Sequence, residues 1–384
     1  MKMNILKRAC PVCDSFEGKK VFKRDFSGMS SIVPFLKYEI VQCEKCGMMY
    51  ADNLIQSMPL AEYYNVLSKY ETHDNLVSKE LKEMYAHIVK FVSTCIEKND
   101  DILDIGCGNG NLLHMLRESG YTRLTGVEPS ETNIKNIKVR WGIEAYTGEI
   151  GDELPGIAGR KYKLIIMQGV LEHLLECKEK IRWILEYLDD DGYLYIGIPD
   201  VSDFIGISDL YQQFSTEHIN YFSLMSLNNL MGIYGLSCIK YERNGKEMGI
   251  SLWKNNSGKR NLVCADDGNV AMQKYLAQAE VLSVKIRSKL ADYAGKSVYL
   301  WGSGTHTAML YQLHLLDDIN VEGIVDSNEN YHGKIIFGHE IISPEKLKVI
   351  KKLPIVISSQ LAQDSIERQI LKTIDTQVVK LYSE

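Results

Sequence analysis

The sequence predicts an α/β protein with a cysteine-containing N-terminal unit, a doubly wound Rossmann-like core and a second, smaller C-terminal α/β unit. Two observations lead to this architecture. Short apolar runs alternate with helical patterns twice along the chain, on either side of a polar stretch near residue 250, and such alternation is typical of parallel sheets covered by helices. Four of the nine cysteines lie before residue 50. The 384 residues suffice for two or three domains of ~100–200 residues each.

The composition excludes several classes of partner. The 44 Lys+Arg and 50 Asp+Glu residues give a net charge of −6, so we expect no nonspecific binding to nucleic acid. No apolar run reaches the ~20 residues that a membrane helix needs, and residues 1–8 lack the apolar stretch of a signal peptide. We therefore expect a cytoplasmic protein with a small-molecule substrate and no membrane partner. The sequence leaves the oligomeric state open.

The N-terminal cysteines form two C-x2-C pairs, Cys10 with Cys13 and Cys43 with Cys46. Each tight turn lets two sulfurs reach one tetrahedral ion at ~2.3 Å, and the two pairs together supply four thiolates. Gly47 suits the backbone conformation of such a turn. Because four protein ligands leave no open position, we predict a structural Zn²⁺ in a ribbon over residues 1–52. Coincidental pairs of buried thiols are the alternative.

The first alternation of strands and helices predicts the core over residues 99–245, and the apolar periodicity before it predicts a helical lid over residues 53–98. The core strands are expected at residues 101–105, 124–127, 144–147, 163–167 and 192–198, with helices at residues 111–119 and 178–188.

The second alternation predicts the smaller unit over residues 295–384, which we expect to bind substrate. Its strands are expected at residues 297–301, 321–325, 355–358 and 378–381. The polar and glycine-bearing stretch before it predicts a linker that leads into a long amphipathic helix, the two spanning residues 246–294. The turn Gly302-Ser303-Gly304 either cradles a phosphate or simply joins a strand to a helix.

A glycine-rich loop after the first core strand predicts a cofactor site. The segment Asp104-Ile105-Gly106-Cys107-Gly108-Asn109-Gly110 is followed by Glu128 at the end of the second strand, where a carboxylate can accept two ribose hydroxyls. Asn111 stands where a dinucleotide fingerprint has its third glycine. The anionic Asp104 suits a cofactor with an ammonium group better than one with a pyrophosphate, and S-adenosylmethionine has that ammonium.

In three ordered motifs the sequence resembles the class I S-adenosylmethionine-dependent methyltransferases. These motifs are Asp104 to Gly110, Val127-Glu128-Pro129-Ser130, and Gln168-Gly169-Val170-Leu171-Glu172-His173. The resemblance implies that Asp104, Gly106 and Gly108 hold the methionine part of the cofactor and that Glu128 holds the ribose. Glu149 is a candidate for the adenine edge. The full set of implied cofactor-binding residues is Asp104, Gly106, Cys107, Gly108, Gly110, Glu128, Pro129, Glu149 and Gln168.

A nearer resemblance, to the zinc-containing C-methyltransferases of deoxysugar pathways, covers most of the chain. It rests on the order of cysteine pairs, methyltransferase core, the segment Glu217 to Ser223, and a terminal α/β unit. It implies four catalytic candidates: His218, Glu217, His173 and Tyr70. The family commonly has a tyrosine two residues before its Glu-His pair, where this sequence has Ser215.

The fold class predicted by these observations is α/β, with an N-terminal zinc ribbon, a doubly wound Rossmann-like methyltransferase core and a smaller C-terminal Rossmann-like domain. The predicted function is methyl transfer from S-adenosylmethionine to a carbohydrate-derived acceptor, either C-methylation of a nucleotide sugar or modification of a surface-polysaccharide precursor. O-methylation of a sugar or other hydroxyl is one alternative. A non-catalytic regulatory protein that binds S-adenosylmethionine and zinc is the other.

Overall fold

The structure is a computed structural model that describes residues 5–60, 63, 78–244, 248–256, 258 and 261–382. Within these residues the chain forms three sheets. The first is antiparallel and consists of β1 (Ile5–Leu6), β2 (Gly18–Asp25), β3 (Phe35–Cys43) and β4 (Met49–Gln56), in the order β1-β4-β3-β2. A two-residue strand from later in the chain, Asn220–Tyr221 (β10), also pairs with β4.

The prediction of helix from residue 53 onward is wrong at its start. Strand β4 continues through Gln56, because Leu54 and Ile55 pair with Leu6 and Ile5 of β1. The helical prediction is confirmed at α1 (Lys79–Val92), whose first turn is capped by the Ser78 side chain. The predicted site residue Tyr70 lies outside the described residues.

The second sheet is the core of the molecule and has the strand order β11-β12-β9-β8-β5-β6-β7. Strands β5 through β9 are parallel, and β12 runs antiparallel to both β9 and β11. The strands are β5 (Asp101–Ile105), β6 (Arg123–Glu128), β7 (Glu144–Thr147), β8 (Tyr162–Gln168), β9 (Leu188–Pro199), β11 (Leu236–Arg243) and β12 (Met248–Asn255), and the helices between them are α2 (Asn111–Glu118), α3 (Glu131–Trp141), α4 (Cys177–Leu185) and α5 (Leu224–Gly232).

The core extends past residue 245, so the prediction of a linker there is wrong at its start. Strand β12 lies inside the sheet between β9 and β11, with Ile250, Leu252 and Trp253 buried. Polar residues stand on both sides of this strand in the sequence, and they concealed a short apolar strand between them.

The third sheet follows α6 (Asp267–Ala291), which confirms the predicted long helix. Its order is β15-β16-β14-β13-β17-β18, and β15 alone among these strands is antiparallel to its neighbour. Its strands are β13 (Ser297–Trp301), β14 (Asn320–Val325), β15 (Ile335–Ile336), β16 (His339–Ile342), β17 (Ile355–Ile357) and β18 (Val378–Lys380), accompanied by α7 (Thr305–Gln312) and α8 (Gln363–Thr373). The strands predicted here are confirmed.

The first and third sheets share one apolar core. Phe26 and Tyr38 of the first sheet region, Tyr275 of α6 and Leu300 of β13 belong to the same buried cluster. The fully buried guanidinium of Arg24 strengthens this contact, since it donates hydrogen bonds to the carbonyl oxygens of residues 214 and 305, at 3.0 and 3.5 Å. The N-terminal sheet is therefore packed against both the segment before β10 and the start of α7.

Candidate cofactor and catalytic site

The glycine loop turns sharply at the carboxyl end of β5. Gly106, Gly108 and Gly110 all have positive φ, at +71°, +53° and +73°, which other residues adopt only with strain. A Cβ added at Gly110 would lie 2.7 Å from Cγ1 of Ile137, so this glycine lets α3 pack on the loop. A Cβ added at Gly108 would meet nothing within 4 Å, so the backbone there is open to a ligand.

Asp104 is a buried carboxylate, and none of the cationic side chains that the structure describes lies beside it. The residue is 2% exposed, and no described residue donates a hydrogen bond to its side chain. Burial, together with the negative charge of Glu128, raises the pKa of Asp104 to about 8. A buried carboxylate of this kind fits a ligand that brings its own positive charge, as the ammonium group of S-adenosylmethionine does.

Glu128, at the end of β6, is held against the loop. Its Oε2 accepts a hydrogen bond from the Gly108 amide at 3.1 Å, and its Oε1 accepts one from the Ser130 amide at 3.2 Å. Beyond it, Pro129 and Glu149 line an open cavity of about 610 Å³ at the carboxyl ends of β6 and β7. Loop, carboxylate and cavity therefore lie in sequence along one edge of the sheet.

Two further predicted cofactor residues face other parts of the protein. The Cys107 thiol belongs to the apolar cluster beneath the loop and would lie 2.8 Å from a Cβ added at Gly126. Burial raises the pKa of this thiol, and only the backbone of Cys107 is left to meet a ligand. Gln168, at the end of β8, accepts a hydrogen bond from the Tyr195 hydroxyl at 2.7 Å.

The structure brings the predicted histidines together. The rings of His173 and His218 meet edge to face, with centroids 4.8 Å apart. Nδ1 of His173 lies 3.3 Å from the carbonyl oxygen of Glu217, and Ser215 Oγ accepts hydrogen bonds from the amides of Glu217 and His218 at 3.2 and 2.9 Å. Ser215 thus shapes the backbone that presents Glu217 and His218.

Tyr63 is a site residue that the sequence prediction missed. Its hydroxyl donates a hydrogen bond to Oε1 of Glu217 at 2.7 Å. Burial and the neighbouring Glu217 carboxylate raise the pKa of Tyr63. Its only sequence signal is the aromatic-rich stretch that Tyr63 shares with Tyr64 and Tyr70, which does not distinguish one tyrosine from another.

Glu172 is the second missed residue. Its side chain is 4% exposed, and Oε1 lies 4.0 Å from Nε2 of His173. Burial is the largest cause that raises the pKa of Glu172 to about 8. Its position between Leu171 and His173 in one of the methyltransferase motifs gave no indication of a separate role.

Arg8 ties the segments that follow the two histidines to the first sheet. Its guanidinium donates hydrogen bonds to the Ile219 carbonyl at 3.1 Å, the Leu175 carbonyl at 3.1 Å and the Asn220 side chain at 2.8 Å. The Asn220 amide group in turn donates to the Leu174 carbonyl at 2.7 Å. One buried arginine therefore fixes the segment after His173 and the segment after His218 relative to each other.

The four N-terminal cysteines form one compact cluster that could hold a metal ion. Sγ of Cys10 lies 3.5 Å from Sγ of Cys46, the Cys13 and Cys43 sulfurs are also 3.5 Å apart, and all four sulfurs lie within 4.8 Å of one another. Four sulfurs at ~2.3 Å from a tetrahedral ion lie ~3.8 Å apart, so the donor set fits zinc. Gly47, with φ of +77°, donates its amide to the Cys43 carbonyl at 2.9 Å.

Residues 77–241 match the model of a family described as a methyltransferase domain. The chain contains a class I S-adenosylmethionine-dependent methyltransferase domain. The enzyme is accordingly an S-adenosylmethionine-dependent methyltransferase. A second family model, described as C2185-like, N-terminal, matches residues 295–380 of the methyltransferase. None of the curated proteins compared with the chain matches it.

Solved structures resemble about half of the methyltransferase. The PH0226 protein of Pyrococcus horikoshii OT3 is 18% identical with a TM-score of 0.41, over 51% of this chain and 99% of its own. The magnesium protoporphyrin IX methyltransferase of Synechocystis PCC 6803 with bound SAM is 16% identical with a TM-score of 0.39, over 51% and 95%. A 1,6-didemethyltoxoflavin-N1-methyltransferase of Burkholderia thailandensis is 18% identical with a TM-score of 0.36, over 46% and 79%.

None of the helices in the described part of the chain combines the length and the apolar composition that a membrane crossing demands.

Proposed function

We propose that this methyltransferase transfers the methyl group of S-adenosylmethionine to a carbohydrate-derived acceptor, with a nucleotide sugar as the first choice and carbon as the methylated atom. The observation that carries the proposal is the contact between His173 and His218 next to Glu217. This group lies beside the cofactor loop, since a Cβ added at Gly106 would be only 2.6 Å from Cγ2 of Val170, three residues before His173.

In this proposal the cofactor lies along the carboxyl edge of the core sheet. Asp104 faces its ammonium group, Gly108 lets it approach the backbone, and Glu128 accepts hydrogen bonds from the ribose hydroxyls. Pro129 and Glu149 border the cavity that receives the adenine. The acceptor enters from the side of the two histidines, so that its nucleophilic atom faces the methyl carbon.

His218 is the proposed general base. A neutral imidazole takes the proton beside the ketone and leaves an enolate. The enolate carbon then attacks the methyl group as the bond to sulfur breaks, which leaves S-adenosylhomocysteine. Glu217, held by the Tyr63 hydroxyl, fixes the adjoining backbone, and its carbonyl faces His173 Nδ1. Much of the rate can come from holding nucleophile and methyl carbon in line.

The observation that favours O-methylation as a second candidate is Ser215, whose hydroxyl oxygen accepts hydrogen bonds from two backbone amides. The sugar C-methyltransferases that the sequence resembles commonly have a tyrosine at this position. One base suffices to remove a proton from a sugar hydroxyl. A C–H beside a ketone demands stabilisation of the enolate as well.

The cysteine cluster and the third sheet complete the proposal. Cys10, Cys13, Cys43 and Cys46 hold a structural Zn²⁺ that stabilises the N-terminal sheet. The C-terminal unit over residues 295–384 helps to bind the acceptor. Its glycine turn is ordered by Ser303, whose amide and hydroxyl donate to Oδ2 of Asp326 at 2.8 and 2.7 Å.

The test uses a nucleotide-linked keto sugar in deuterated water. With S-adenosylhomocysteine bound, the wild-type enzyme is expected to exchange the proton beside the ketone, and with S-adenosylmethionine it is expected to methylate that carbon. His218→Ala should lower turnover by ~10²–10⁴-fold with nearly unchanged affinity for S-adenosylmethionine, because it removes a base and no cofactor contact. His114→Ala, on α2, is the matched control and should keep wild-type turnover.

The outcomes separate the candidates. Methyl transfer to a hydroxyl without proton exchange at carbon would replace C-methylation by O-methylation. Near-wild-type turnover of His218→Ala at saturating acceptor would reject His218 as the base. Failure to form S-adenosylhomocysteine with any acceptor, together with cofactor binding, would favour the regulatory alternative.

A further inference from the structure

Glu172 is a buried carboxylate that the proposed methyl transfer does not use. The residue is 3% exposed, and its Oε2 has no hydrogen-bond partner among the described residues. The side chain lies beside the two histidines of the site, and its donor atom and theirs, from His173 and His218, all lie within 4.8 Å of one another. A buried acceptor left without a donor is destabilising, and a cation beside it would relieve that penalty.

Two imidazoles and one carboxylate are a donor set for divalent transition ions. Zinc bonds to histidine nitrogen and carboxylate oxygen are ~2.0–2.2 Å long, so ligand atoms around one ion lie ~3–3.6 Å apart. Oε1 of Glu172 and Nε2 of His173 are 4.0 Å apart, and modest side-chain rotation would close the difference. Magnesium and calcium prefer oxygen ligands and several waters, which makes them poor occupants here.

We infer that Glu172, His173 and His218 form a second metal site, which takes a divalent transition ion such as Zn²⁺ and thereby inhibits methyl transfer. The site differs in chemistry from the cysteine cluster, whose four donors are all sulfur. The inhibition, though not the binding, rests on His218 being the general base of the proposed function.

The inhibition follows from the chemistry of imidazole. A neutral ring has one nitrogen with a free lone pair, and the other nitrogen carries the proton. An ion that takes the lone pair of His218 leaves no nitrogen able to accept the acceptor's proton. Metal binding and base catalysis at this histidine therefore exclude each other.

The binding test uses the full-length enzyme with its cysteine cluster already saturated with zinc. Calorimetric titration with further Zn²⁺ is expected to show one additional site in the wild type, weakened at least tenfold in Glu172→Gln. Glu118→Gln is the matched control, because Glu118 lies 3.6 Å from Nε2 of His114 in an exposed pair on α2 and should leave the titration unchanged.

Cobalt gives a second readout on the wild type, which keeps the test valid even if Glu172→Gln fails to fold. The first Co²⁺ bound to metal-free enzyme should show the intense absorption of thiolate ligands. The second should add only weak ligand-field bands, as nitrogen and oxygen donors do. A single Co²⁺ per chain at saturation would overturn the inference.

The activity test separates this inference from the proposed function. Added Zn²⁺ should inhibit wild-type turnover, and a chelator that leaves the cysteine cluster loaded should restore it. Glu172→Gln, compared with its own turnover in the absence of added Zn²⁺, should escape inhibition. Stimulation by the ion, binding without inhibition, or equal inhibition of Glu172→Gln would each overturn the inference. If no acceptor is methylated but the second ion still binds through Glu172, the proposed function fails and the metal site stands.

Discussion

Asp104 offers the sharpest test of how the methyltransferase recognises its cofactor. Replacing it by Asn keeps the size of the side chain and removes the negative charge. The carboxylate is buried with no described cation beside it, so we expect the ammonium group of S-adenosylmethionine to be its favourable partner in the working enzyme. We expect Asp104→Asn to fold, to melt at a higher temperature than the wild type at pH 8 without cofactor, and to bind S-adenosylmethionine more weakly.

The expected loss of affinity follows from the hydrogen bond that the variant cannot make, and its pH dependence follows from the raised pKa of Asp104. A charge-assisted hydrogen bond contributes ~1.5–3 kcal/mol, which predicts a loss of about 10- to 150-fold in affinity for Asp104→Asn. Because the pKa of Asp104 is about 8 without ligand, the wild type must first release a proton to bind a cation at neutral pH. Each pH unit below 8 makes this release costlier by about 1.4 kcal/mol.

The assay is calorimetric titration with S-adenosylmethionine at pH 6 and pH 7, where the amino group of the free cofactor stays mostly protonated. Wild-type affinity should fall nearly tenfold, that is ~1.4 kcal/mol, from pH 7 to pH 6. The affinity of Asp104→Asn should hardly change. Titrations at pH 7 in buffers of different ionisation enthalpy should show a proton released by the wild type and none by the variant. Equal pH dependence of the two proteins would refute the reasoning.

The remaining predictions concern the metal, the ribose carboxylate and the loop. Purified enzyme should hold one tightly bound zinc per chain at the cysteine cluster, and Cys43→Ser should lose it and melt at a lower temperature; an unchanged melting profile would contradict this. Glu128→Ala should weaken S-adenosylmethionine binding by ~1–3 kcal/mol, with NAD a poor competitor in the same titration. Gly108→Ala should weaken cofactor binding more than it lowers thermal stability, whereas Gly110→Ala, whose Cβ would strike Ile137, should chiefly lower stability.

The core of the fold could be predicted because its signals are local. Parallel strands buried on both faces appear as short apolar runs, and the glycine loop needs positive φ at fixed positions. Residues 101–105 and the loop to Gly110 therefore carried enough information to place a cofactor site. The two cysteine pairs are equally local signals, and the structure brings all four sulfurs within 4.8 Å of one another.

The two wrong boundaries have a common cause. The apolar residues of β4 continue into a segment with helical spacing, which predicts a helix, while pairing with β1 makes them a strand. Polar residues flank β12 in the sequence, which predicts a linker, while pairing with β9 and β11 makes it a strand. In both places the strand forms by pairing with another strand about 50 residues away in sequence, β1 for β4 and β9 for β12. A local sequence pattern does not show such a pairing.

In the candidate catalytic site, too, the residue that holds the histidine segments in place could not be predicted from a local pattern. His173 and His218 carry recognisable motifs, yet what holds them is Arg8, which is 167 residues from Leu175 and 212 from Asn220 in sequence. Arg8 also lies two residues before Cys10, so the arginine and the first cysteine of the cluster belong to one short stretch of the chain. Since the guanidinium is buried and donates to the segments that follow His173 and His218, we expect a change that loosens this stretch to disturb both histidines. The N-terminal cysteine cluster therefore has a physical route to the geometry of the candidate catalytic site, through one side chain and its hydrogen bonds.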